Sequence, residues 1–177
     1  QLNKGATDLL EAFCRLPRDL CERVGLVYIG DGKDMSLLSR RVHDLSIADR
    51  VLIVGKVPHS QLGGSMRLAS AVVAPTRPEF PEGRCMVVLE SLALGVPVIG
   101  PDFGPFPYAI KHDVNGLLFE AGKLDCLSAA LSRLLENGMA AESLRSGALL
   151  SASQFTAVRQ SFSAAVDLAF RAAGRQS

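Results

Sequence analysis

The sequence predicts an open, doubly wound α/β domain, with a parallel sheet covered by helices on both faces. Two observations carry that expectation. Short, wholly apolar segments recur at Leu26–Ile29, 51–54, 71–74, 95–100 and Gly116–Phe119, and helical stretches separate them. Strands buried on both faces read as unbroken apolar runs, and their alternation with helices is the mark of βαβ units. The chain's 177 residues, 48% hydrophobic and 21% charged, are enough for one domain. Such a domain buries roughly 70% of its unfolded surface.

Residues 5–15 are the first helix, with Leu9, Leu10, Ala12 and Phe13 inward and Pro17 stopping it. The strand at Leu26–Ile29 ends in Gly30-Asp31-Gly32, a tight turn rather than a dinucleotide fingerprint. A helix over 34–45 places Met35, Leu38 and Val42 on one face, and the strand at 51–54 closes at Gly55. A short helix over 58–69 leads into the strand at 71–74. From Pro78 a proline-stiffened loop turns at Gly83 and enters a helix that begins near Cys85 and is closed by Gly95. The last two strands follow, and then helices over 124–136 and 140–151. A C-terminal amphipathic helix is expected within 154–173, with Val158, Phe162, Val166, Ala169 and Phe170 on one side. The whole of 1–177 is read as a single domain.

Bulk properties narrow the function. A net charge of +1 favours neither nucleic acid nor an acidic membrane surface, and the absence of Trp weakens any base-stacking platform. Cys14, Cys21, Cys85 and Cys126 form no Cys-x-x-Cys pair and have no His at zinc spacing. They read as reduced thiols of a cytosolic protein, and no metal is expected. No apolar run reaches the roughly 18 residues that span a bilayer, and no signal peptide opens the chain. His43, His59 and His112 read as surface or loop residues. The chain starts with Gln, so a fragment of a longer protein is expected.

The chemistry concentrates in 78–95. Met86, Val87, Val88, Leu89, Leu92, Ala93 and Leu94 make the helix apolar on nearly every face, the pattern of a buried helix. Glu90 sits in its middle, and an unpartnered buried carboxylate costs several kcal/mol. Glu82 lies just before the helix start. Ligands of such folds bind outside the carboxyl ends of the strands, where a helix N-terminus offers free N–H groups to an anion. Glu90 lies roughly 7 Å down the helix axis at 1.5 Å per residue. The resulting order, carboxylate, anion site, carboxylate, matches the sugar, diphosphate and ribose of a nucleoside diphosphate sugar.

The segment 82–99, Glu-Gly-Arg-Cys-Met-Val-Val-Leu-Glu-Ser-Leu-Ala-Leu-Gly-Val-Pro-Val-Ile, resembles the donor-site signature of family 4 glycosyltransferases. That pattern is Glu, seven residues, Glu, then a small-residue helix and Gly-x-Pro-Val. Lys4-Gly5 with its following helix, Val54-Gly55-Lys56-Val57-Pro58, Ala74-Pro75-Thr76 and Asn115-Gly116-Leu117-Leu118 resemble further family segments, up to about residue 150. The resemblance implies a Rossmann-like domain, the C-terminal, donor-binding half of a two-lobed GT-B enzyme. It implies that Glu90 accepts from the ribose hydroxyls and that Glu82 contacts the transferred sugar. The amides of Gly83, Arg84, Cys85 and Met86 would face sugar and diphosphate. Lys4 would neutralise the leaving diphosphate, and Lys56 and Val57 would lie by the nucleobase. The implied chemistry is retaining transfer of a hexose from a UDP- or GDP-sugar to a glycan or lipid, with no metal or other cofactor. The family's first strand, its diphosphate-binding Arg and its acceptor-binding lobe would precede Gln1, so this chain alone is not expected to catalyse transfer. The setting implied is cytoplasmic, with any peripheral contact to the inner face of a membrane made through that upstream lobe.

The chain departs from the pattern where the family's Glu-Gly-Phe-Gly is Glu82-Gly83-Arg84-Cys85, and where its Gly-Gly…Glu is Gly104-Pro105-Phe106-Pro107-Tyr108. Simpler readings stand beside the sharp ones. Glu82 could be an acidic residue favouring a helix N-terminus, Arg84 a solvated loop residue, Lys4 an exposed lysine, and Cys85 a thiol of lowered pKa at a helix start. Two other functions stay open: another GT-B-like sugar-nucleotide enzyme such as an epimerase, and a non-catalytic module with a degenerate donor site.

Overall fold

The computed structural model describes residues 4–32, 35–80, 82–136 and 138–156. Its strands are β1 (Leu26–Ile29), β2 (Val51–Gly55), β3 (Val72–Val73), β4 (Val98–Pro101) and β5 (Gly116–Phe119). The helices are α1 (Ala6–Cys14), α2 (Arg18–Cys21), α3 (Met35–Asp44), α4 (His59–Leu68), α5 (Met86–Ala93), α6 (Phe106–Ala109), α7 (Leu124–Glu136) and α8 (Gly138–Thr156). Every strand pair among the described residues is parallel, as expected for βαβ connections. The strands divide between two sheets, β1-β2 and β3-β4-β5.

One core lies under both sheets. Leu26, Tyr28, Val51, Ile53, Val73, Ile99, Leu117 and Phe119 pack with α1, α3 and α7 through residues such as Leu10, Phe13, Leu38 and Leu127. A second core covers the opposite face of β3-β4-β5. There Ala74 and Val98 meet Val88 and Leu92 of α5, Phe106 of α6 and Ala148 of α8. Adjacent Val98 and Ile99 thus serve opposite cores, the alternation a strand imposes. Each fully buried Val, Leu or Phe side chain contributes about 1.5–3 kcal/mol, so the two cores hold the helices in place. Tyr28 ties β1 to α1 by donating its hydroxyl to the carbonyl of Ala6 at 2.8 Å.

Most boundaries move by one or two residues. The strand expected over 71–74 pairs only at Val72 and Val73. The one expected over 95–100 starts at Val98, because Gly95, at φ +70°, ends α5 and the amide of Val96 turns back to the carbonyl of Ser91. The helix expected over 140–151 is the longer α8. The one-turn helices α2 and α6, behind Pro17 and Pro105, carry no readable period. Residues 154–156 of the expected C-terminal helix belong to α8, and 157–173 lie outside the described residues.

One expectation is corrected. The helix read as buried all round, α5, is buried only on the side bearing Val88, Ser91 and Leu92. Met86 is 51% exposed, and Val87 is exposed as well. The first turn of α5 stands at the carboxyl edge of the sheet, past the cover that α8 provides further along. Apolar side chains there face solvent.

Candidate functional site

In a parallel sheet the carboxyl ends of all strands lie on one edge, together with the N-termini of the helices that run back against them. That edge here gathers Lys4 and Gly5 before α1, Lys56 and Val57 between β2 and α4, and the segment from Pro75 to Cys85 between β3 and α5. The predicted site residues therefore converge from three chain regions.

The segment after β3 is held closely against the start of α1. Gly5 has φ +85°, and a Cβ built on it would stand 1.8 Å from the carbonyl oxygen of Pro75. No side chain fits there, so only glycine allows this approach. Next to it, Lys4 donates from Nζ to Oε1 of Glu82 at 2.5 Å. The carboxylate is the less exposed partner, at 14% against 68% for the lysine. The two residues assigned roles in catalysis thus neutralise each other across 78 positions of sequence.

Cys85 is the N-cap of α5, with extended φ and ψ and no side-chain capping bond. Its carbonyl accepts from the amides of Val88 and Leu89. Burial pushes its thiol up from the usual value, Glu82 adds to the rise, and Lys4 and the amides of Val88 and Val87 oppose it. The expectation of a lowered pKa is therefore corrected: the loss of hydration outweighs the helix N-terminus. Gly83 and Arg84 are exposed, and nothing in the described chain lies within 4 Å of a Cβ built on Gly83. The front of α5 is thus open to a ligand, with the first-turn amides facing it.

Glu90 lies further along α5 with its side chain 29% exposed, half-buried. Its Oε1 is 4.0 Å from Nε2 of His59, the first residue of α4. The partner demanded by a carboxylate in an apolar helix is thus an exposed imidazole across an opening, beyond hydrogen-bond range. Lys56 is exposed and Val57 half-buried just before His59. In sequence His59 is a surface or loop residue, and only the packing of α4 on α5 brings it to Glu90. The short spacing, with only Val57 and Pro58 between Lys56 and His59, was the available signal.

Not every matching segment belongs to the cleft. Asn115, fully buried, accepts from the Lys111 amide through Oδ1 at 2.7 Å and donates through Nδ2 to the Ala109 carbonyl at 3.2 Å. It fixes the turn into β5. Among the described residues, no group of three or more His, Cys, Asp or Glu is placed to hold a metal ion. No helix among them is long and apolar enough to cross a membrane.

The edge thus offers helix amides and an exposed lysine for an anion, with a carboxylate on either side for hydroxyl groups. Comparison with known proteins gives the family and the fold. The family model described as glycosyl transferases group 1 matches residues 1–149. A GDP-mannose-dependent alpha-(1-6)-phosphatidylinositol monomannoside mannosyltransferase of Mycobacterium tuberculosis is 31% identical over 136 residues, 75% of this chain and 35% of the relative. A D-inositol 3-phosphate glycosyltransferase of Jonesia denitrificans is 33% identical over 159 residues, 86% of this chain and 37% of the relative. The chain therefore spans little more than a third of these relatives. Among solved structures, Anabaena Alr3699/HepE in complex with UDP and glucose aligns with a TM-score of 0.75 at 23% identity, covering 88% of this chain and 41% of that one. Sucrose-phosphate synthase from Thermosynechococcus elongatus aligns with a TM-score of 0.76 at 22% identity, covering 99% and 43%. At that identity the likeness shows the fold.

Proposed function

This chain belongs to the family of group 1 glycosyl transferases, and from that premise we propose that it is the nucleotide-sugar-binding part of a retaining, metal-independent hexosyltransferase. The donor is a UDP- or GDP-sugar and the acceptor a glycan or lipid. The observation that carries this reading is the placement of Lys4 and Glu82 together at the head of α5, with Glu90 further along the same helix.

In this mechanism the diphosphate enters at the first turn of α5 and draws Lys4 away from Glu82. Lys4 and the helix amides then oppose the charge that builds on the leaving diphosphate, a role a metal ion takes in other enzymes. Glu82, released from Lys4, accepts from hydroxyls of the sugar. Glu90 accepts from the ribose diol, beside Lys56 and Val57 at the base. Catalytic transfer belongs to the whole protein, with an acceptor-binding lobe supplied by sequence outside this chain. The UDP and glucose held by the Anabaena protein, and the GDP-mannose dependence named for the mycobacterial relative, support a sugar nucleotide as ligand. The four free cysteines fit a reducing, cytoplasmic setting.

Calorimetric titration of the protein with UDP-glucose and GDP-mannose tests the reading. Saturable binding of one of them, tighter than of its free nucleoside diphosphate, is expected. Absence of binding to either donor and to UDP and GDP contradicts it.

A further inference from the structure

A second ion pair ties the start of α1 to the segment after β3. Arg77 donates from Nε to Oδ2 of Asp8 at 2.5 Å and from a terminal guanidinium nitrogen to Oδ1 of the same carboxylate. The fork is bidentate, joins residues 69 positions apart and is partly buried, at 18% exposure for Asp8 and 26% for Arg77. Thr76 beside it is buried, and Gly5 presses on Pro75. Bidentate guanidinium–carboxylate pairs fix both distance and orientation, which a lysine pair does not.

The two ties differ in what a ligand does to them. Lys4–Glu82 joins groups that the proposed mechanism gives to the ligand, so binding breaks it. Asp8–Arg77 faces a small crevice formed with Pro75, Phe119, Gly122 and Leu124, and neither partner is assigned to the ligand. We propose that Asp8 and Arg77 are positioning residues: their pair holds the segment leading to Glu82 in register with α1 while a sugar nucleotide separates Lys4 from Glu82. This rests on the donor-site reading for its purpose, but the restraint itself exists without a ligand. Asp8→Asn removes the charge and half the fork. Arg77→Lys keeps the charge and loses the geometry.

Two measurements on the full chain separate the outcomes. The first is amide exchange without ligand, which does not depend on the donor-site reading. Both variants should speed exchange of the Phe80 amide, which donates to the carbonyl of Arg77 at 3.0 Å, by about tenfold, the loss expected for a charge-assisted pair, while core amides in β4 keep their protection. Unchanged exchange at Phe80 overturns the proposal. The second is affinity for UDP-glucose or GDP-mannose set against the matching diphosphate. The variants should keep diphosphate affinity within about twofold and lose about tenfold of the increment due to the sugar, since the hydroxyl contacts depend on where Glu82 stands. An equal loss for both ligands, or none, overturns it. If the unsubstituted protein binds no donor, the functional reading fails, and the exchange result alone decides the restraint. Asp8→Arg combined with Arg77→Asp should restore both readouts if the pairing itself matters.

Discussion

Cys85 caps the helix that bears Glu90, and its thiol is buried and pushed above its ordinary value of 9.0. Near neutral pH it therefore stays a thiol, despite the helix N-terminus that would favour a thiolate. Alkylation should be slow at pH 7–8, slower than for the exposed Cys14. The rate should climb only as pH passes the ordinary value. The sign for stability follows from linkage. The folded state holds this proton more tightly than the unfolded chain, so its contribution is full below pH 9.0 and is lost as pH rises beyond that. Fast alkylation of Cys85 at pH 7, followed by mass spectrometry, would contradict this. At this scale Glu82 and Glu90 were legible because a carboxylate beside an apolar run demands an explanation. His59 and the Asp8–Arg77 pair were not, because residues far apart in sequence meet only through packing, and spacing along the chain carries no trace of it.

At the level of elements, the head of α1 and the segment after β3 act as one unit. Gly5 sits at φ +85° with no room for a Cβ against Pro75. Gly5→Ala should therefore cost at least about 1–3 kcal/mol for the strained backbone, and should displace Lys4 from Glu82 as the two segments move apart. Urea denaturation measures the loss, and a change below about 0.5 kcal/mol, the level of an ordinary surface substitution, would contradict this packing. Strands and helices were readable because their apolar periods differ. Their ends were not, because capping at Gly95 and the turn through Val96 depend on bonds to Ser91 that no period reveals. The buried reading of α5 failed for a related reason: composition reports how apolar a helix is, not which of its turns reaches past its neighbours. Met86 and Val87 lie at that exposed end.

For the whole molecule, the parallel α/β architecture followed from alternation alone, while the division into two sheets is a matter of pairing. Among the described residues β1 pairs only with β2, and β3 only with β4, so each leaves one edge without a ladder partner. Val27 and Leu52 on the smaller sheet are exposed as well. Unpaired edges beside apolar surface recruit other strands. Sedimentation of the chain should accordingly show self-association that grows with concentration, whereas a concentration-independent monomer would contradict open edges. The central claim concerns the cleft at the carboxyl edge, and one comparison tests it most directly: calorimetric affinity of the protein and of its Glu90→Ala variant for UDP-glucose and GDP-mannose. Glu90 is half-buried, and among the described residues its carboxylate makes no hydrogen bond, only the 4.0 Å approach to His59. The variant should therefore fold with unchanged stability and bind the preferred donor at least about tenfold more weakly, the loss expected when a charged acceptor leaves a ribose diol. Equal affinity of the two proteins for that donor would contradict the account.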